Sequence, residues 1–231
     1  MDTKLIIDNL YRDLNADQAG IVDEFNQFFK FKLPDGNTRG INSVAGFRPK
    51  SRHDIQENDI LKCAFCVIYT TYQEDEWPDH MDFKTGIFTY YGDNKEPGTK
   101  LKDKKRVGNL FLYHLFKNLH NNSRNKVQPI LCFEKVKIKK QGSFMRFLGL
   151  AAPGGKEISP KDDLKEVKGK KNNKEFENYR AKFTIIDEPI IQRSWLEDMV
   201  NGIPSFESEH CPTLWKKWIE TGQYISISKN E

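Results

Sequence analysis

The apolar runs of this 231-residue chain are short, and the segments between them are irregular. Residues 62–72 (KCAFCVIYTTY) are β-branched and aromatic and read as a buried strand. Residues 87–91 (IFTYY), 127–140, 144–151 and 181–186 read as further strands. Near the end of the third, Val136 and Ile138 alternate with Lys135, Lys137 and Lys139, so one face turns in and the other out. Gln141, Gly142 and Ser143 then supply a turn that makes 144–151 its hairpin partner. Regular helices of 10–15 residues do not separate these strands, which argues against a doubly wound parallel sheet. The expected class is α+β, a strongly curved, partly barrel-like mixed sheet with flanking helices.

Helical spacing of apolar residues predicts helices over much of 3–31, then over 109–118, 193–201 and 212–221. Residues 33–51 form a long glycine- and proline-containing loop that carries Arg39, Arg48 and Lys50. Residues 153–176 are rich in lysine and read as a surface insertion with a short helix. A single domain is expected over 1–231. Its parts are a helical beginning with the basic loop (1–60), a curved-sheet core (61–190) and closing helices (191–231).

With 37% hydrophobic and 12% aromatic residues the chain can bury a core. No apolar run reaches the length of a membrane span, and the first residues lack the apolar stretch of a signal peptide. Cys63 and Cys66 form a C-x-x-C, but Cys132 and Cys211 stand apart, so no second pair completes a zinc site. The strand placement makes the pair structural, and a reducing, cytoplasmic location is the default expectation. The net charge of +4 hides an asymmetry: −6 over residues 1–94, +14 over 95–182 and −4 over 183–231. A middle third this basic attracts a polyanion, or is a solvated lysine-rich surface. The lysine face 135/137/139 has the same two readings: a track for phosphates, or an edge guarded against aggregation.

Residues 77–109 gather chemistry suited to holding a nucleobase. Trp77, Tyr90 and Tyr91 offer stacking faces, and Asp93, flanked by Gly92 and Asn94, ends the aromatic strand. A carboxylate accepts from the N4 amino group of cytosine, and backbone amides of a tight turn donate to O2. Gly92 is expected to free the backbone where Asp93 must be aimed. Adjacent strand residues face opposite ways, so Tyr90 and Tyr91 share a pocket only across a bulge. On the residues alone, a turn aspartate after a core strand is the simpler reading of Asp93. The basic cluster Lys95, Lys100, Lys102, Lys104, Lys105 and Arg106, followed by Asn109, would supply DNA contacts. Nuclease chemistry is weaker. Pro78-Asp79 and Glu166-Val167-Lys168 match the letters of a PD-(D/E)xK site, but the gap is too long and Glu166 reads as helical. No phosphate-binding loop, nucleophile elbow or zinc-protease motif is present.

The run W-P-D, T-G-x-F-T-Y-Y-G-D-N-K, P-G-x-x-L and G-N-x-x-L resembles the N-terminal domain of AspBHI- and MspJI-type modification-dependent restriction endonucleases. Supporting likenesses lie at residues 45–48, 65–71, 146–150, 178–181 and 211–224. The resemblance implies an SRA-like fold that flips 5-methylcytosine or 5-hydroxymethylcytosine out of duplex DNA. It maps the base-reading aspartate onto Asp93, stacking onto Trp77 and Tyr91, and groove-entering loops onto 37–48 and 95–106. Arg39 is a candidate to fill the gap left by the base, with Arg48 on the same loop. Family members usually continue into a nuclease domain, which is expected C-terminal to this segment or on another chain, and magnesium belongs to that nuclease. No cofactor, no metal and no membrane partner is expected for the recognition part. The rival readings are a complete small metal-dependent nuclease and an RNA-binding module.

Overall fold

The strand-forming runs find partners far away in sequence, and that pairing organises the molecule. In the computed structural model, the structure describes residues 3–14, 20–33, 35–41, 47–52, 63–74, 76–94, 97–98, 101, 107–171 and 174–229. The elements in chain order are β1 (Lys4–Ile6), β2 (Leu10–Arg12), α1 (Glu24–Phe28), β3 (Phe31–Lys32), β4 (Thr38–Arg39), β5 (Phe47–Ser51), β6 (Cys63–Thr70), β7 (His80–Asp82) and β8 (Ile87–Tyr91). They continue with α2 (Val107–His120), β9 (Ile130–Ile138), β10 (Gly142–Pro153), α3 (Pro160–Asp163), β11 (Leu164–Lys171), β12 (Lys174–Ile185), β13 (Ile190–Gln192), α4 (Arg193–Val200) and α5 (Thr213–Thr221).

One sheet takes nine strands in the order β5-β6-β9-β10-β12-β8-β7, with β11 on β12 and β2 on β10. β6 and β9 run parallel while their neighbours are antiparallel, so the sheet is mixed and the α+β expectation holds. The path is open at β5 and β7 and does not close into a barrel. β9 and β10 form the expected hairpin, with a register shift between Phe147 and Gly149. Gly149 has φ +138°, and a Cβ there would sit 2.5 Å from Ile185 Cγ2, so only glycine lets the bulge lie against β12.

Both faces of the sheet are covered. α2 lies on one, where Phe116 meets Phe183 at 5.5 Å and Phe111 meets Phe47 at 5.0 Å. The other carries an aromatic cluster in which Phe25 of α1 meets Phe133 edge-on at 5.1 Å and Phe133 meets Phe147 at 5.0 Å. α4 and α5 close the domain through Trp195, Trp215 and Trp218, all buried.

Three expectations need correction. Residues 3–31 are largely not helical: β1 pairs with β13 and β2 with β10, and α1 is five residues long. Leu5 and Tyr11 are buried by these pairings, and Asp8 turns the chain at φ +68°, so tertiary contacts override a helix-like spacing. Residues 164–171 and 174–176 are not helical either; β11 and β12 form a long ribbon with Glu166 opposite Tyr179. The outward lysine face is only partly free. Lys137 and Lys139 are exposed, but Lys135 is tied to Asp13 at 2.9 Å. None of the four cysteines is in a disulfide, and Cys63, Cys66 and Cys132 are buried, where burial pushes the Cys66 and Cys132 thiols well up.

Candidate nucleic-acid interface

β8 alternates strictly, with Phe88 and Tyr90 buried and Ile87, Thr89 and Tyr91 on the opposite face. No register shift interrupts its pairing with β7 or β12. Tyr90 therefore points to the α2 side and Tyr91 away from it, so the two tyrosines do not line one pocket.

On the α2 side, Asp93 meets the start of the helix. Its Oδ2 accepts from the Gly108 amide at 3.0 Å and its Oδ1 from the Asn109 amide at 3.1 Å. These donors are among those a helix N-terminus leaves without intrahelical partners, and the dipole there favours negative charge. Asp79 is a second carboxylate. Its Oδ1 accepts from the Tyr91 amide at 2.9 Å, extending the β7–β8 ladder by one side-chain step. Burial pushes the Tyr90 phenol well above its usual range, and the charges of Asp79 and Asp93 push it further. Burial likewise pushes up the phenol of Tyr72, a residue at φ +55°, with Glu134, Cys132 and Asp79 adding to the rise and Arg146 opposing it. Asp79 and Asp93 are thus both in electrostatic reach of Tyr90, and Asp79 also of Tyr72, while Asp93 is bonded to the first turn of α2. Asp79 entered the sequence reading only as a metal ligand, and Tyr72 not at all. The alternation of β8 was the signal that Tyr90, and not Tyr91, shares a side with Asp93.

The turn that carries Asp93 is held by three fully buried asparagines. Asn94 donates to Glu177 O at 2.6 Å, Asn178 to Gly92 O at 2.9 Å, and Asn109 to Leu101 O at 3.0 Å. A Cβ on Gly92 would lie 1.7 Å from Asn109 Oδ1 and 2.6 Å from Asn178 Oδ1. Glycine is needed here for space, because Gly92 is not among the positive-φ residues. That corrects the expectation that it frees the backbone. Asn109, expected at DNA, is instead a buried strut.

The remaining expected residues divide. Trp77 is buried on the face opposite Tyr90, stacks on Tyr91 at 5.3 Å and meets Phe176 edge-on at 5.6 Å. Trp77 and Tyr91 therefore pack on each other and do not stand either side of an open slot. Arg48 is buried with its guanidinium 4.5 Å from the Tyr69 ring centre. Arg39 is exposed on the β3–β4 hairpin, and Lys50 donates to its carbonyl at 3.0 Å. Lys95, Lys100, Lys102, Lys104, Lys105 and Arg106 lie outside the described residues. Among the described residues no three of His, Cys, Asp and Glu converge as metal ligands. Among them, too, no helix is long and apolar enough to cross a membrane.

The sequence profile of the family described as restriction endonuclease AspBHI, N-terminal, matches residues 5–230. A search of curated protein sequences found no match. The fold is similar to the DNA modification-dependent restriction endonuclease AspBHI, at 30% identity and a TM-score of 0.81, covering 99% of this chain and 53% of that one. It is similar to the DNA recognition domain of the cytosine modification-dependent restriction endonuclease LpnPI, at 30% identity and a TM-score of 0.79, covering 99% and 92%. MspJI restriction endonuclease in complex with a 27-mer oligonucleotide shares the fold at 18% identity and a TM-score of 0.70, covering 94% and 51%. The chain spans about half the length of AspBHI. It belongs to the family of AspBHI N-terminal restriction-endonuclease domains.

Proposed function

We propose that this chain is a DNA-recognition module that reads a modified cytosine, 5-methylated or 5-hydroxymethylated, flipped out of duplex DNA. It would serve as the specificity part of a modification-dependent restriction endonuclease. The observation that carries the reading is the fixed carboxylate of Asp93, in a chain of this family, with Asp79 and Tyr90 in electrostatic reach of each other and Asp93 in reach of Tyr90. An ionised carboxylate offers about four acceptor sites. Two amides take one site on each Asp93 oxygen and lock the group's direction, which leaves acceptor capacity for the N4 amino group of cytosine. A group locked by backbone donors meets the base without reorganising. Flipping costs a few kcal/mol, and stacking on one aromatic ring returns roughly 1–3 kcal/mol. Tyr90, on the Asp93 side of β8, is the aromatic proposed to stack on the base, in place of a Trp77 and Tyr91 sandwich.

The described residues fit one domain, with the sheet as its core and α4 and α5 as closing helices. The segment 95–106 and exposed Arg39 are the proposed DNA-facing parts. The recognition module would act without a metal or cofactor, magnesium serving the partner nuclease, in the cytoplasm where such an enzyme meets DNA.

The test is a titration against matched duplexes with one central cytosine, plain or 5-methylated, at ~150 mM salt, where specific binding stands clear of the non-specific background. Wild type should favour the modified duplex by about 10-fold or more, within what one base pair supplies. Asp93→Asn places an amide beside the N4 donor and should erase the preference while leaving weak general binding. If Asp79→Asn erases it and Asp93→Asn does not, the base is read by Asp79. Equal wild-type affinity for both duplexes, or tighter binding to single-stranded RNA, would refute the reading.

A further inference from the structure

The lysine-rich ribbon of β11 and β12 has two unlike faces. On the face shared with Tyr179, acids and bases alternate across the ladder: Lys168 opposite Glu177 and Lys170 opposite Glu175. On the other face Lys165 stands directly opposite Arg180, Arg180 opposite Tyr91, and Lys182 opposite Thr89. No acid is a cross-strand neighbour of these three cations. Like charges directly opposite each other destabilise a sheet. Arg180 Nε is also buried, with no hydrogen-bond partner among the described residues. A buried guanidinium N–H without an acceptor is costly, and an anion placed there relieves both penalties.

The ribbon is held firmly enough to present that face. Trp77 packs where a Cβ on Gly169 would lie, 2.5 Å from its Cζ2, and Glu76 Oε1 accepts from the Lys170 amide at 3.1 Å. This face is on the side of the sheet away from Tyr90, and it reaches the proposed base site through the turn at the sheet's edge. Gly92 donates to Tyr179 O at 2.9 Å, so Tyr91 and Arg180 lie at the root of the turn that carries Asp93.

We infer that Lys165, Arg180 and Lys182 form a phosphate-contact site for the DNA backbone, across the Gly92–Asp93 turn from the flipped nucleotide, with the Trp77–Tyr91 stack as its rigid support. This rests on the DNA-reading function proposed above and adds a site to it. The contacts are to phosphate oxygens, so they position the duplex and carry no sequence or modification information.

The experiment measures binding of a fluorescein-labelled, centrally 5-methylated duplex, and its plain counterpart, by anisotropy across a salt series. Each phosphate contact contributes about 0.9 to the slope of log K against log salt. Arg180→Gln should lower the slope by about 1. Lys165→Gln/Lys182→Gln, at one exposed and one half-buried position, keeps the test open if the Arg180 variant does not fold. Lys168→Gln/Lys170→Gln, on the balanced face, should leave the slope unchanged. The ratio of methylated to plain affinity should stay at the wild-type value in every variant. An unchanged slope in the Arg180 and Lys165/Lys182 variants, or an equal loss from the balanced-face pair, would overturn the inference. A wild type that binds both duplexes alike, while the slopes still separate, would instead overturn the base-reading proposal and leave the phosphate site standing.

Discussion

Substituting Gly92 by alanine should loosen the turn that aims Asp93, and the structure sets the size of the effect. The added methyl would lie 1.7 Å from Asn109 Oδ1, 2.6 Å from Asn178 Oδ1 and 2.9 Å from Asn109 Cγ. No side chain accommodates such distances, so both asparagines must move. Moving Asn109 breaks its bond to the buried Leu101 carbonyl, and moving Asn178 breaks its bond to Gly92 O. Overpacking of this kind costs about 1–3 kcal/mol, and each lost hydrogen bond about 1 kcal/mol. A destabilisation of about 3–5 kcal/mol follows, or roughly 6–20 °C in Tm for a domain of this size. Urea unfolding followed by tryptophan fluorescence measures it, with an unchanged m-value expected. Asn109→Ala should cost less, because the Asn109 Oδ1 that is removed is itself buried without a partner. In the double variant Gly92→Ala/Asn109→Ala the worst clash is gone, so the two changes should fall short of additivity by more than about 1 kcal/mol. Additive costs, or a Gly92→Ala cost below about 1 kcal/mol, would refute the steric account of this glycine.

Two further outcomes follow from the same region. Asp93→Ala removes the acceptor for the Gly108 and Asn109 amides and should cost about 0.5–2 kcal/mol of stability by thermal melting, as loss of a helix cap does, whereas Asp93→Asn should cost less. Lys50 is buried, and burial together with the Arg39 charge lowers its amine to about 8 from 10.5. Between those two pH values the unfolded chain binds more protons than the folded one, so stability should rise as pH rises from 8 to 10.5. The gain is on the order of 2 kcal/mol, should be absent in Lys50→Met, and is read as the pH dependence of Tm in the two proteins. A parallel rise in the variant would assign it to other groups.

Much of the core was legible because its signals are local. The β-branched run at 63–70, the aromatic strand at 87–91 and the hairpin turn at 141–143 each carry their conformation in neighbouring residues. The beginning of the chain was misread because Leu5, Ile6 and Leu10 fit a helical spacing equally well. Only β13 and β10, more than a hundred residues away, decide that these segments pair as strands. The ribbon of β11 and β12 was misread for a like reason: its lysines and glutamates favour helix locally, while Trp77 and Phe176 reward the sheet.

What the sequence determined by itself is the α+β class, the aromatic strand ending in Gly92-Asp93, and the concentration of positive charge in the middle third. These depend on composition and on patterns a few residues long. Tertiary structure alone decided the side-chain directions and neighbours. It set Tyr90 and Tyr91 on opposite faces, buried Arg48 and Asn109, brought Asp79 and Asp93 within electrostatic reach of Tyr90 and gathered Lys165 and Arg180 on one side of a ribbon. The physical reason is that a carboxylate or a guanidinium acquires its role from what surrounds it. Those surroundings come from segments that meet only when the sheet forms.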